Sequence, residues 1–171
     1  MSLPSGVRRL GLAFAGWAML APAAALGESK VVTISASVTK PLTLSWMQNL
    51  DLGTIALGPG TWSGAVIGIS RSGTLTCGNV NLTCSGVASV ARYQVTGSNN
   101  QVVRISAPNV TLVNQSDPAR TLLLTIDSPG TVTLPNSGQP GAILSLGGSL
   151  TLSSQTASGV YAGTFNVTVD Y

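Results

Sequence analysis

Cys77 and Cys84 are the only two cysteines, separated by Gly78-Asn79-Val80-Asn81-Leu82-Thr83. Two thiols around such a segment suit a hairpin disulfide, a metal site or redox chemistry. A tetrahedral metal shell needs more Cys or His ligands, and the chain has 2 Cys and no His. The Cys-x-x-Cys spacing of a redox pair is absent as well. The favoured reading is a structural disulfide, which belongs to an oxidising compartment. Closing this short loop contributes about 2.5 kcal/mol on the chain-entropy model.

Other chemistry finds few residues to work with. Without His there is no Ser-His-Asp site, no imidazole metal ligand and no imidazole pH switch. After the N-terminal segment the acids are Glu28, Asp51, Asp117, Asp127 and Asp170, no two of them closer than ten residues. No calcium loop is present, and a two-carboxylate hydrolase would depend on pairing in space. A Ser–Lys dyad would have to use Lys30 or Lys40, which read better as solvated charges that discourage wrong edge pairing. Trp62 follows the turn Gly58-Pro59-Gly60-Thr61, where an indole either stacks on a sugar ring or caps the end of a sandwich core. Asn-x-Ser/Thr at Asn81, Asn109, Asn114 and Asn166 is what a chain with 21 Ser and 18 Thr contains by composition. No catalytic residue, cofactor or metal site is expected, and the chain is read as non-enzymatic.

Composition narrows the class. Charged residues are 8 % of 171, against about 25 % in an ordinary protein. Clustered Lys/Arg for a nucleic-acid groove are missing. At 44 % hydrophobic with low net charge, the chain can bury a core and is not disordered. Residues 1–27 read as a secretory signal peptide: Arg8 and Arg9, an apolar run from Leu10 to Leu26, then small residues at Ala23-Ala24-Ala25 and Ala25-Leu26-Gly27. Its removal leaves six Lys/Arg against five Asp/Glu, a net +1, with no stable membrane span remaining. The expected location is secreted, extracellular or on the cell surface via the periplasm, with residues 28–171 forming a single domain.

The elements that must position these residues are strands. Tyr161, Gly163, Phe165, Val167, Val169 and Tyr171 share one parity, and Ala162, Thr164, Asn166, Thr168 and Asp170 the other. Successive strand residues point to opposite faces, so 161–171 has one buried and one wet face. Val32, Ile34, Ala36 and Val38 alternate likewise and share a parity with Leu42, Leu44 and Trp46. Lys40-Pro41 divides this stretch into strand pieces 31–38 and 42–47. Further β-prone runs fall at 52–57, 63–70, 73–77, 82–85, 90–96, 101–106, 109–113, 120–127, 131–134, 142–146 and 149–153. Gly, Pro, Asn and Asp punctuate them, as in Ser128-Pro129-Gly130 and Gly147-Gly148. The expected fold is all-β, an antiparallel sandwich beginning near Val31.

Three stretches carry a family resemblance. They are Lys40-Pro41-Leu42-Thr43-Leu44 with Asp51-Leu52-Gly53-Thr54-Ile55, then Tyr93-Gln94-Val95-Thr96-Gly97 with Val103-Arg104-Ile105-Ser106-Ala107-Pro108, and last Leu146-Gly147-Gly148-Ser149-Leu150-Thr151-Leu152 with 159–171. Together they resemble an exported bacterial family catalogued as domain of unknown function 4402. That family is similar to chaperone–usher pilins and spore-coat-U proteins, which resemble immunoglobulin sandwiches. The resemblance implies an immunoglobulin-like, pilin-like sandwich whose C-terminal strand ends in an aromatic after Gly-x-Tyr, here Gly159, Tyr161 and Tyr171. In typical pilins the aromatic is usually penultimate, whereas Tyr171 is the last residue.

Three functions are weighed. In the first, the chain is a pilin-like structural subunit that assembles by strand exchange, as a homopolymer or with a periplasmic chaperone and usher. Val32, Ile34, Ala36 and Val38 are then the candidate donor strand, and Tyr161, Phe165, Val167, Val169 and Tyr171 edge the receiving groove. In the second, 31–38 completes its own monomeric sandwich, which binds carbohydrate or a surface. In the third, less favoured, the chain is a small outer-membrane barrel, although most of its strands are shorter than the roughly 9–11 residues needed to span.

Overall fold

Alternation becomes strand where a second strand lies alongside. The computed structural model describes residues 30–171, and the segment 1–27 read above as a signal peptide lies outside the described residues. The first half of the chain forms β1 (Thr43–Gln48), β2 (Thr54–Leu57), β3 (Ala65–Ile69), β4 (Leu75–Thr76), β5 (Leu82–Ser85) and β6 (Ala91–Thr96). The second half forms β7 (Val102–Ser106), β8 (Val110–Asn114), β9 (Thr121–Asp127), β10 (Thr131–Thr133), β11 (Ala142–Leu152), β12 (Tyr161–Ala162) and β13 (Thr168–Asp170). The described residues hold no helix, so none is long and apolar enough to cross a membrane. The fold is all-β, and its antiparallel sheets are arranged as a sandwich.

One sheet runs β1-β6-β11-β9-β8-β12 and adds β3 and β4 at the far half of β11. The second is β10-β7-β13 and the third is the pair β2-β5. Strand β11 organises all of this. Its first half pairs with β6, Ala142↔Val95 to Leu146↔Ala91. Its second half pairs with β3, Gly148↔Ile69 to Leu152↔Ala65, while Gly147 to Leu150 meet β9 on the opposite edge. Gly147-Gly148, expected to break the strand, sits inside it. At Gly147 the backbone of Ile69 and Ser70 packs so closely that a Cβ would collide with it.

The inward parity of β11 enters two core clusters. Leu150 and Leu152 pack with Leu52, Ala65, Ile67, Ile69, Leu82 and Leu124. Leu144 and Leu146 pack with Ala91, Val95, Val103, Ile105 and Leu134. The second cluster lies between β1-β6-β11 and β10-β7-β13, two sheets that present their apolar faces to each other.

The Cys77–Cys84 disulfide is formed, with Cα atoms 6.3 Å apart, and both residues pack against the first cluster. At the end of β8, Asn114 is only 1 % exposed. Its Nδ2 donates to Ser158 O at 2.9 Å, and its Oδ1 accepts from Ser116 N at 2.9 Å and Asp117 N at 3.3 Å. It ties the 115–120 turn to the loop that launches β12. Asn114→Ala should therefore release the turn and the loop it holds together and destabilise by about 1–2 kcal/mol. A shifted urea midpoint with an unchanged slope is the expected reading, and an unshifted midpoint would contradict the tie.

The ends of the sandwich depart from the expectation. By its contacts the chain divides into Met1–Ala36 and Ser37–Tyr171. Every strand lies in the second unit, and the sheets begin at Thr43, not near Val31. No strand covers 31–38, and Ile34 is 87 % exposed. The C-terminal stretch 161–171 is not one strand either. Tyr161 and Ala162 pair with β8, Thr168 to Asp170 pair with β7, and 163–167 belongs to no strand. In 31–38 the alternation is present without a partner strand, while 163–167 lies beside β8 at Gly163 without forming a ladder.

Candidate functional site

Along one side of the second core cluster the apolar side chains of β1 and of 163–170 are left only partly covered. On β1 the inward residues form cross-strand rows: Leu44 lies opposite Val95 and Trp46 opposite Tyr93, and those two meet Ala142 and Leu144 on β11. On the other sheet Val169 lies opposite Ile105. Val95 and Ile105, one strand in from the edge, and Leu144, two strands in, are buried. At the edges burial fails: Leu44, Phe165, Val167 and Val169 are only half-buried, and Trp46 is 62 % exposed. Burial pushes the Tyr93 phenol above its ordinary pKa of 10.0, as expected for a ring one row inside that edge.

Among the described residues, the outer backbone of these edges has no strand partner either. β1 pairs only with β6, and β13 only with β7. The outer edge of β1 and the stretch 163–170 therefore present unpaired N–H and C=O groups beside half-covered side chains, the usual mark of a strand that can accept another. The C-terminal end of one edge meets the start of the other. There the Tyr171 hydroxyl donates to Lys40 O at 2.6 Å and accepts from Ser98 N at 2.8 Å, and Lys40 N donates to Ser98 Oγ at 2.6 Å.

The match to family models bears on residues 42–171, the span from just before β1 to the C-terminus. The matching description is "Domain of unknown function (DUF4402)". The chain belongs to this family. No curated protein and no solved structure gives a significant match.

Within this DUF4402 domain the sequence-derived site residues fall into three groups. Cys77 and Cys84 are bonded. Phe165, Val167 and Val169 pack on the second cluster as half-buried residues, with Tyr171 at 41 % exposure closing their row and Tyr161 at its start on β12. Thr164, Asn166 and Thr168 point to solvent, so the two-faced reading of 161–171 holds without the ladder. Val32, Ile34 and Val38 are largely exposed, and Ala36 is exposed with them.

Chemistry-bearing residues elsewhere are engaged locally. Asp51 accepts from Gly53 N, Asp170 from Tyr171 N and Asp117 from Ala119 N. Asp127 lies 3.1 Å from Arg71. Three-residue groupings with metal-ligand potential are absent among the described residues. Trp62 caps the first core: its Nε1 donates to Gly58 O at 3.1 Å and its N–H to Ser154 Oγ at 3.2 Å. Among the described residues the exposed indole is Trp46, which lies on the inward parity in the sequence. Parity was the available signal, and it gave the direction of the side chain without showing that nothing lies beside it.

Proposed function

We propose that the protein is an exported, non-enzymatic structural subunit of the bacterial surface that assembles by β-strand exchange, as chaperone–usher pilins do. The observation that carries this is the partly covered apolar row on β1 and 163–170, read here as a gap awaiting a strand, in a chain that also holds an exposed alternating segment. Eight residues, 31–38, span about 26 Å as a strand, matching the eight residues 163–170 along the gap. Val32, Ile34, Ala36 and Val38 would point into it, and their backbone would complete ladders with both edges. A disulfide suits the oxidising route such subunits take, through the periplasm with chaperone and usher as partners.

A peptide of residues 30–39 added to the full-length exported protein tests the reading. It should compete for the gap, shorten oligomers and raise the melting temperature, since a ligand at about 100 times its Kd stabilises by about 2.7 kcal/mol. The same peptide carrying Ile34→Asp should do neither. No effect of the native peptide at millimolar concentration would count against strand exchange.

One observation favours a second reading, a monomeric carbohydrate-binding module. Trp46 offers an exposed indole, and such rings stack on sugars. Glycan-array binding lost in Trp46→Ala, with no change in mass, would favour it.

A further inference from the structure

A gap open to a second copy is also open to the subunit's own N-terminal segment, so something must decide between them. The candidate is the knot at the end of the gap. Tyr171 is the last residue of one edge and Lys40 immediately precedes the other. Both main-chain polar groups of Lys40 are engaged: its C=O accepts the Tyr171 hydroxyl at 2.6 Å and its N–H donates to Ser98 Oγ at 2.6 Å. The same hydroxyl accepts the Ser98 N–H at 2.8 Å, and Pro41 has no N–H to offer an alternative. The ring reaches this position because residue 97 is glycine. A Cβ there would lie 2.5 Å from Tyr171 Oη, 2.8 Å from Leu134 Cδ1 and 2.9 Å from Leu42 Cδ2.

We propose that the Tyr171–Lys40–Ser98 knot is a latch that stops the chain from doubling back into its own gap, and so makes a second copy's 31–38 the occupant. This rests on the strand-exchange reading above. To fill its own gap the chain must reverse within 39–42. That reversal swings the Lys40 peptide and breaks both of its bonds. A segment arriving from another molecule needs no reversal and leaves the knot intact. Losing the knot should shift the balance between self-filling and exchange by about tenfold.

The test compares full-length exported protein, wild type against Tyr171→Phe, which removes the hydroxyl and keeps the ring. Mass by light scattering at matched concentration and melting temperature are both read. Tyr171→Phe should raise the monomer-to-oligomer ratio about tenfold, and its monomer should melt higher than an Ile34→Asp monomer, because its gap is filled. Adding Ile34→Asp to Tyr171→Phe should remove that gain. Ser98→Ala, which deletes only the acceptor for Lys40 N–H, should shift the ratio the same way by a smaller factor, and it guards against misfolding of the first variant. Oligomers unchanged in both Tyr171→Phe and Ser98→Ala overturn the latch and leave strand exchange standing. A wild-type protein that is monomeric and melts like Tyr171→Phe overturns strand exchange and the latch with it.

Discussion

Ile34→Asp should reduce the protein from oligomers to monomers while leaving the sandwich folded. Ile34 lies outside every strand and core cluster and is 87 % exposed, so a carboxylate there meets only water in the single subunit. In a neighbour's gap the same carboxylate would sit among Leu44, Phe165 and Val167 with no cation beside it. Burying an unpaired charge costs several kcal/mol, enough to lower affinity by orders of magnitude. Light scattering should show monomer at concentrations where wild type is oligomeric, with the β circular dichroism spectrum retained. Oligomers of wild-type size would place the contact elsewhere.

Leu146→Ala should cause the largest loss of stability among single truncations considered for the second core, about 3–5 kcal/mol. Leu146 is fully buried, lies opposite Ala91, and is the last β11 residue before the strand exchanges β6 for β3. The neighbouring Gly147 backbone is held against Ile69, so the cavity has little room to collapse. Leu123→Ala, on the exposed face of β9, is the matched control and should stay within about 0.5 kcal/mol. Equal urea midpoints for the two variants would contradict the assignment of faces.

Much of this fold is legible in the sequence, for a definite physical reason. Side chains alternate with period 2, so β6, β7, β9 and the ends of β11 can be placed within a residue or two from apolar parity and turn residues. Pairing is a property of two segments, and that is where the reading from residues stops. Segment 31–38 alternates as well as β7 does, yet it forms no strand, because alternation gives a face and cannot supply a neighbour. Gly147-Gly148 looks like a turn, since glycine punctuates chains, but here it permits the close approach of the Ile69 backbone. Phe165 has core parity and is only half-buried, so the about 3–5 kcal/mol of a fully buried Phe→Ala should fall to about 2 kcal/mol in the single subunit. The candidate site is legible as two lists of residues, donor and edge. The gap between the edges, the exposure of Trp46 and the Tyr171 knot depend on long-range packing that spacing does not encode.

The central claim is that 31–38 of one copy lies in the gap of another, and a disulfide trap tests it most directly. Two full-length variants, Ile34→Cys and Val167→Cys, each carry one added thiol beside a native pair already bonded to each other. Mixed under mild oxidation with distinguishable tags, they should form a heterodimer linked between the two new sites. A single chain carrying both substitutions should form bonds between molecules, giving a ladder on a non-reducing gel. If that double variant instead closes within one chain at every concentration, or if the mixture of single variants does not link, the gap is not filled by a second copy's N-terminal segment.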